Sequence, residues 1–438
     1  MTEPRAQRAR RPRLAIIGSG ISGLAAARVL QDDCDVTVFE SDARIGGHIR
    51  PLPVDDGQGN QVYIDTGFTV FEGSSYPQLC RLIDELQITS EKVNFDVTLW
   101  DRMRGRHHRL RDFASLCGSV FAKEAGRDLG RFAAFLLRLE RRPELFDTRS
   151  ASLGELVSAQ GYHPDLVEYL LLPALTVEWG FQRTEILAMS AEAALAMLRR
   201  TSVAGPESDF RRVVPSSKVY LDALIAGLRV QLRTRCEVHR VEERADSVEI
   251  ASSEGLEQFD AALIAAQAHQ ALRLLARPTE AQRRVLGGLP YHHGIAIVHS
   301  DPEFVPDELA RTGNLIAMHL RSGDAPLWAT TWRFQHIDAA RPVQVTIGDP
   351  RLLELGILDS RHIHHVIHHT HVALTPDYHA LCPDPAALES GGRVFFSGSY
   401  FGAGGTHEHA LGSALSASAR IRATLWGAGR ALDSTGSL

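Results

Sequence analysis

The chain has 438 residues, too many for one ordinary core and about right for two domains, and with 44% hydrophobic residues it is not intrinsically disordered. Its net charge of −6 gives no general attraction to nucleic acid, so none is expected as a partner. The five cysteines (Cys34, Cys80, Cys117, Cys236, Cys382) are scattered with no C-x-x-C, which argues against a disulfide framework or a cysteine zinc site and suits reduced thiols in a cytoplasm.

Residues 1–12 open a basic, proline-containing tail (MTEPRAQRARRPR) with no apolar h-region, so it does not read as a secretory signal. It reads as disordered, and it admits weak electrostatic contact with an anionic membrane surface; the expected location is cytoplasmic, with membrane-peripheral contact as its extension. No apolar run reaches transmembrane length. The tail gives way to Leu14–Glu40, LAIIGSGISGLAAARVLQDDCDVTVFE. An apolar run leads into Gly18, Gly20 and Gly23 in the pattern G-x-G-x-x-G, with Ser22 inside it; a helix-spaced segment and a β-branched run follow, ending on Glu40. The pattern predicts strand, tight turn, helix, strand, acid. Gly18 allows the turn, Gly20 lets backbone approach a pyrophosphate, and Gly23 lets helix pack on strand. The helix N-terminus offers free N–H groups to phosphate. Glu40 falls where a carboxylate accepts hydrogen bonds from an adenosine ribose, and it disfavours a 2′-phosphate.

Arg44, Gly46 and Gly47 form R-x-G-G, a second backbone segment able to close over a cofactor, with Arg44 placed to neutralise phosphate. QVYIDTGFTVF (61–71) alternates like a strand and turns at Gly67, and 76–86 has helical spacing. These motifs together resemble the FAD-binding half of the flavin amine oxidase superfamily, which also holds protoporphyrinogen oxidases, carotenoid desaturases and polyunsaturated fatty-acid isomerases. The wording IGSGISGLAAA, FE…RIGGH and IDTGFTVF is more similar to a bacterial group of predicted NAD/FAD-binding oxidoreductases often encoded near cyclopropane fatty-acyl synthases. The resemblance implies FAD as cofactor. It also implies cofactor contacts at Thr66, Gly67 and Phe68, adenine contact through the backbone of Val238, and a substrate-cavity wall formed by a helical insertion.

Residues 106–200 show helical periodicity and contain EYLLLPALTVEWGF (168–181), where Trp179 sits at an expected helix break before Gly180 and is the best cavity candidate. FRRVVPSSKVYLDALIAGL (210–228) reads as a loop followed by a helix; relatives carry a Gly-Gly pair near the flavin where this chain has Ser216 and Ser217. Residues 230–252 read as strand, turn, strand, and 259–275 as a buried strand running into a helix. GIAIVHS, NLIAMHL, LWATTWRF and VQVTIG read as an antiparallel sheet floored by the cofactor. HIHHVIHHTH (362–371) holds six histidines: on a helix His364 and His368, or His365 and His369, would share a face, but the segment also reads as a strand. With no acidic or cysteine partner evident nearby, no metal is expected.

RVFFSGSYFGAGGTHEHALGSALSASARI (393–421) reads as a strand, a glycine loop at Gly398 and Ser399, and a small-residue helix whose dipole would stabilise charge on reduced flavin. Ser399 stands where relatives are often acidic. His407-Glu408-His409 resembles a His-Glu-acid motif of the closer group, with Glu408, His409 and Ala410 expected at the cofactor. The motif has no cysteine, so FAD is expected to be non-covalent, with histidine attachment through His48 or His407 as the alternative.

The fold class expected is α/β: a Rossmann-like FAD-binding domain (13–90, 205–285, 386–438) with an interleaved substrate domain (91–204, 286–385) made of a mixed antiparallel sheet and a helical insertion. The function expected is an FAD-dependent dehydrogenase, desaturase or oxidase taking hydride from an apolar small-molecule or acyl-type substrate. Alternatives are a redox-neutral double-bond isomerase, an amine oxidase, or a non-catalytic flavin binder. The amine-oxidase reading is weakened because relatives of that activity use a lysine from the substrate sheet, and this chain has none after Lys218. Candidate proton acceptors are His407, Glu408 and His409 beside the flavin and His292 and His293 on a sheet strand, because histidine titrates near neutrality.

Overall fold

The computed structural model describes residues 10–56, 58–93, 97–101, 106–109, 123–141, 147–202, 209–304, 315–319, 326–331, 343–381, 384–389, 392–402 and 404–427. Most of the basic tail, with the membrane contact read from it, and Cys117 and Cys382 lie outside the described residues. Among the described residues, no helix is long and apolar enough to cross a membrane.

Five strands form one parallel sheet, in the order Gln231–Arg233, Asp35–Phe39, Arg13–Ile17, Ala261–Ile264, Val394–Phe396. Its central strands are apolar without alternation because both faces are covered, as a parallel sheet requires. One covering helix, Ile21–Leu30, carries Ala25, Ala26 and Ala27 fully inside, and such small side chains let the C-terminal helix His407–Trp426 lie close against it. Ser22 Oγ donates to Ala410 O across that seam at 3.2 Å. A three-stranded meander, Val238–Glu243, Val248–Ser252 and Gly255–Phe259, hangs beside the sheet.

A second, seven-stranded sheet has the order Ile363–Val372, Tyr291–His299, Gln344–Gly348, Trp328–Thr331, Leu315–His319, Val97–Asp101, Arg106–Arg109. It is antiparallel except where Leu315–His319 runs parallel to Val97–Asp101. The helical insertion leans on this sheet through Leu172–Trp179. Gln182 fixes the join, its side chain donating to Leu327 O and accepting from Leu327 N at 2.9 and 2.8 Å. Just before Leu172–Trp179, residues Val167–Leu171 make a π turn, with Leu172 N bonded back to Val167 O. Gly180, at φ +73°, ends the helix.

Three sequence expectations change. The histidine segment is a strand, Ile363–Val372, so alternate residues share a face and the helical pairings of His364 with His368 and His365 with His369 do not form. Phe210–Val213 is a strand and not a loop, pairing with Phe71–Glu72 and Ser90–Lys92; its two arginines hide the pattern, and Arg212 is buried against Glu91. Within 230–252 the first strand leaves its neighbour and joins the parallel sheet beside Asp35–Phe39.

Candidate active site

The turn after Arg13–Ile17 is built on glycine. Gly18 has φ +104°, and a Cβ there would lie 2.4 Å from Ala265 O; a Cβ on Gly23 would lie 2.0 Å from Gly18 O. At Gly20, the residue capping helix Ile21–Leu30, an added Cβ would meet nothing within 4 Å, and no side chain caps the helix's first amides. Open space over uncapped helix N–H groups is a cradle for phosphate. Gly46 and Gly47 close on it, with Gly46 N donating to Ser19 O at 3.0 Å and Gly47 packed against the Cα of Gly20. Arg44 staples that loop by donating to the carbonyls of Ile45, Gly47 and Ile49. The Thr66–Phe68 turn is zipped to it: Thr66 Oγ1 donates to Arg50 O, Phe68 N donates to His48 O, and a Cβ on Gly67 would lie 2.1 Å from His48 O.

Glu40 faces the turn, accepting from Ser19 N (3.0 Å), Ser19 Oγ (2.6 Å) and Asp42 N (2.9 Å). Gly398 N donates to Ser413 Oγ of the C-terminal helix, with Ser399 partly exposed beyond it, and Val238 begins the meander as a buried residue. Ser217 replaces a glycine for a visible reason: its N–H and hydroxyl both donate to the buried Asp65. Burial pushes the Asp65 carboxyl up to about 6, against the opposing hydrogen bonds from Ser217. The open Gly20 cradle, the acid beside it and the buried, unpartnered His48 Nε2 and Tyr400 hydroxyl fit a flavin dinucleotide.

The catalytic candidates separate once placed. Glu408 accepts from the amides of Gln78 and Leu79 with its two carboxylate oxygens, so it caps the helix Pro77–Glu85. The His409 ring bonds Thr406 Oγ1 at 2.7 Å in a helix cap and packs against Gly402 and Gly404. His293 is exposed, its Nδ1 3.3 Å from Thr370 Oγ1. His292 is buried against Phe181, with Nδ1 2.5 Å from Glu185 Oε1. His407 stacks on Phe68 (centroids 4.4 Å) with Nε2 3.1 Å from the Tyr220 hydroxyl. Burial, helped by nearby His48, pushes His407 down to about 3, which corrects the expectation that this ring titrates near neutrality.

Sequence reasoning missed the group that does converge. His371 stacks flat on Trp179, with centroids 5.3 Å apart and planes 11° apart. His48 lies 4.9 Å from His371 and 5.6 Å from His369, ring to ring. Burial lowers all three histidines, His369 to about 3. The alternation of a strand would have put His369 and His371 on one face; nothing local pointed to His48.

Comparison with known proteins agrees with this architecture. A family model described as flavin containing amine oxidoreductase matches residues 21–422. Protoporphyrinogen oxidase 2 of Arabidopsis thaliana is 36% identical over 87 residues, which is 20% of this chain and 16% of that protein. The match therefore spans a small part of the relative's own length. A redesigned putrescine oxidase superposes with a TM-score of 0.69 at 15% identity, covering 94% of this chain and 99% of that one. The CLA-producing fatty acid isomerase from P. acnes does so with a TM-score of 0.67 at 13% identity, covering 95% and 98%. At such identities these structures share the fold.

Proposed function

The chain belongs to the flavin containing amine oxidoreductase family and is an FAD-dependent oxidoreductase; on that premise we propose that it removes hydride from an apolar, acyl-type substrate. FAD, when bound, supplies a two-electron acceptor. In this reading the cofactor is non-covalent: Gly20 and the first turn of Ile21–Leu30 hold its pyrophosphate, and Glu40 holds its adenosine ribose.

The carrying observation is the neutrality of the ring cluster. Trp179, His371, His48, His369 and His407 meet there, and burial keeps the histidines uncharged. Among the described residues, the carboxylates placed nearest these groups are already engaged: Glu408 on two amides, Asp65 on Ser217, Glu185 on His292. A neutral aromatic wall gives an alkylammonium ion no counter-charge, but it accepts a hydrocarbon chain and excludes water from it. The roles of the chain's own groups are then positional. Trp179 and His371 form a flat surface that orients the reacting C–H, and neutral His407 keeps its ring between Phe68 and Tyr220.

The test is anaerobic mixing of the flavin-loaded protein with a panel of unsaturated and saturated acyl substrates and a matched panel of primary amines. Bleaching of oxidised flavin by an acyl substrate, with amines silent, is expected. Bleaching by amines alone would defeat the reading. An acyl product formed with the flavin oxidised at the end would redirect it to double-bond isomerisation, the chemistry named for the P. acnes neighbour.

A further inference from the structure

We propose that His48, His369 and His371 form a binding site for a divalent cation of the zinc class. One ring nitrogen from each residue lies within 4.8 Å of the others. Two of the rings are set by the strand: His369 and His371 are two positions apart on Ile363–Val372, so they project from the same face. The third comes from the loop that follows Gly46 and Gly47, whose course is held by Arg44.

The hydrogen bonding of the rings is what a metal ligand requires. His48 bonds the backbone of Thr370 and His369 bonds the backbone of Thr66, while the Nε2 of each is buried and unpartnered. A ligating imidazole is usually anchored in this way, one nitrogen fixed by a backbone or carboxylate partner and the other left with a bare lone pair. Trp179 stacks on His371 and limits its rotation.

Tetrahedral zinc with Zn–N near 2.1 Å sets its nitrogens about 3.3 Å apart. The cluster reaches that spacing by small side-chain rotations without moving the strand. Three imidazoles without a carboxylate select zinc, cobalt, nickel or copper over calcium or magnesium. They also leave a fourth coordination position for water or a substrate oxygen. The remaining histidines of the strand behave differently: His364 and His368 are exposed, and His365 Nε2 is 3.0 Å from Pro53 O.

The flavin-loaded, full-length protein is stripped with a chelator and dialysed against zinc chloride, and bound metal is counted by plasma mass spectrometry. One zinc per chain is expected. His369→Gln and His371→Gln should each weaken binding by more than the roughly 100-fold that loss of an outer-shell partner costs, while a His364→Gln, His368→Gln double variant should bind as wild type does. Absence of stoichiometric zinc overturns the proposal. So does zinc retained by both single variants, or lost in the double variant, which would mark adventitious binding by the exposed face. Should either single variant fail to fold, the zinc-edge X-ray absorption spectrum of the wild type decides: three imidazole scatterers support the site, and fewer overturn it.

Discussion

Around Gly20 the site is made of backbone. Three glycine turns are pressed together so tightly that added methyl groups at Gly18, Gly23 and Gly67 would strike carbonyl oxygens, and the one acid involved is tied to the turn it serves. Around His48 and Trp179 the site is made of rings, brought from the cofactor loop, the helical insertion, the edge strand and the C-terminal helix. The first region tolerates almost no change of volume, and its chemistry is generic to dinucleotides. The second is held by stacking and burial, and its chemistry belongs to whatever this protein acts upon. A phosphate needs N–H groups at fixed spacing, which only backbone provides cheaply; selectivity for a hydrocarbon needs shaped side chains.

That contrast is most sharply exposed by Gly23→Ala. The new methyl meets the Gly18 carbonyl, a backbone atom that cannot swing away, so a loss of about 3 kcal/mol or more is expected together with flavin loss on dialysis. A variant that keeps both its melting temperature and its colour would show the backbone region to be soft. Glu40→Ala is next: removing a charged acceptor costs about 1.5–3 kcal/mol, a tenfold to hundredfold weaker hold on FAD by equilibrium dialysis. Unchanged occupancy would detach Glu40 from the ribose.

On the ring side the signature is pH. His299, buried on Tyr291–His299 with Nε2 2.7 Å from Thr346 Oγ1, is pushed by burial down to about 3. A depressed histidine contributes stability that is present above its unfolded pKa near 6.5 and is lost as pH falls toward the folded value. Between pH 7 and 5 the wild type should therefore lose about 2 kcal/mol more than His299→Gln does in urea unfolding. Parallel curves for the two proteins would refute the neutral burial. Smallest is Glu408→Ala, which removes a helix cap and should cost about 1 kcal/mol of stability, with turnover per bound flavin unchanged. A tenfold fall in that turnover, with the fold intact, would return Glu408 to the list of groups acting at the cofactor.

The same division explains what could be read from the chain before its structure. The strand, turn and helix around Gly18–Gly23 are contiguous, and each glycine answers a local steric demand, so their order alone suffices. Gly180 likewise announces the end of the helix carrying Trp179. The ring cluster was illegible because its members are separated by long stretches of sequence, and because six clustered histidines fit a helix and a strand equally well until pairing with Tyr291–His299 fixed the period. Glu408 was read by its neighbours in sequence, whereas its role is set by the amides of Gln78 and Leu79, over three hundred residues away. Ser217 looked like a lost glycine until the buried Asp65 explained it.

The π turn at Val167–Leu171 sets the phase of everything that follows it in that helix. Such a turn amounts to one residue inserted into an otherwise regular spiral. Deleting a single residue there would restore ordinary winding and swing the next segment by about 100° about its axis. Trp179 would leave the face of His371, and Gln182 would no longer meet Leu327, although no residue touching either had been altered. Chain length within one turn, and not the identity of any side chain, thus aims the wall at its target, so a protein of this design tolerates substitution in that segment far better than it tolerates a change in count.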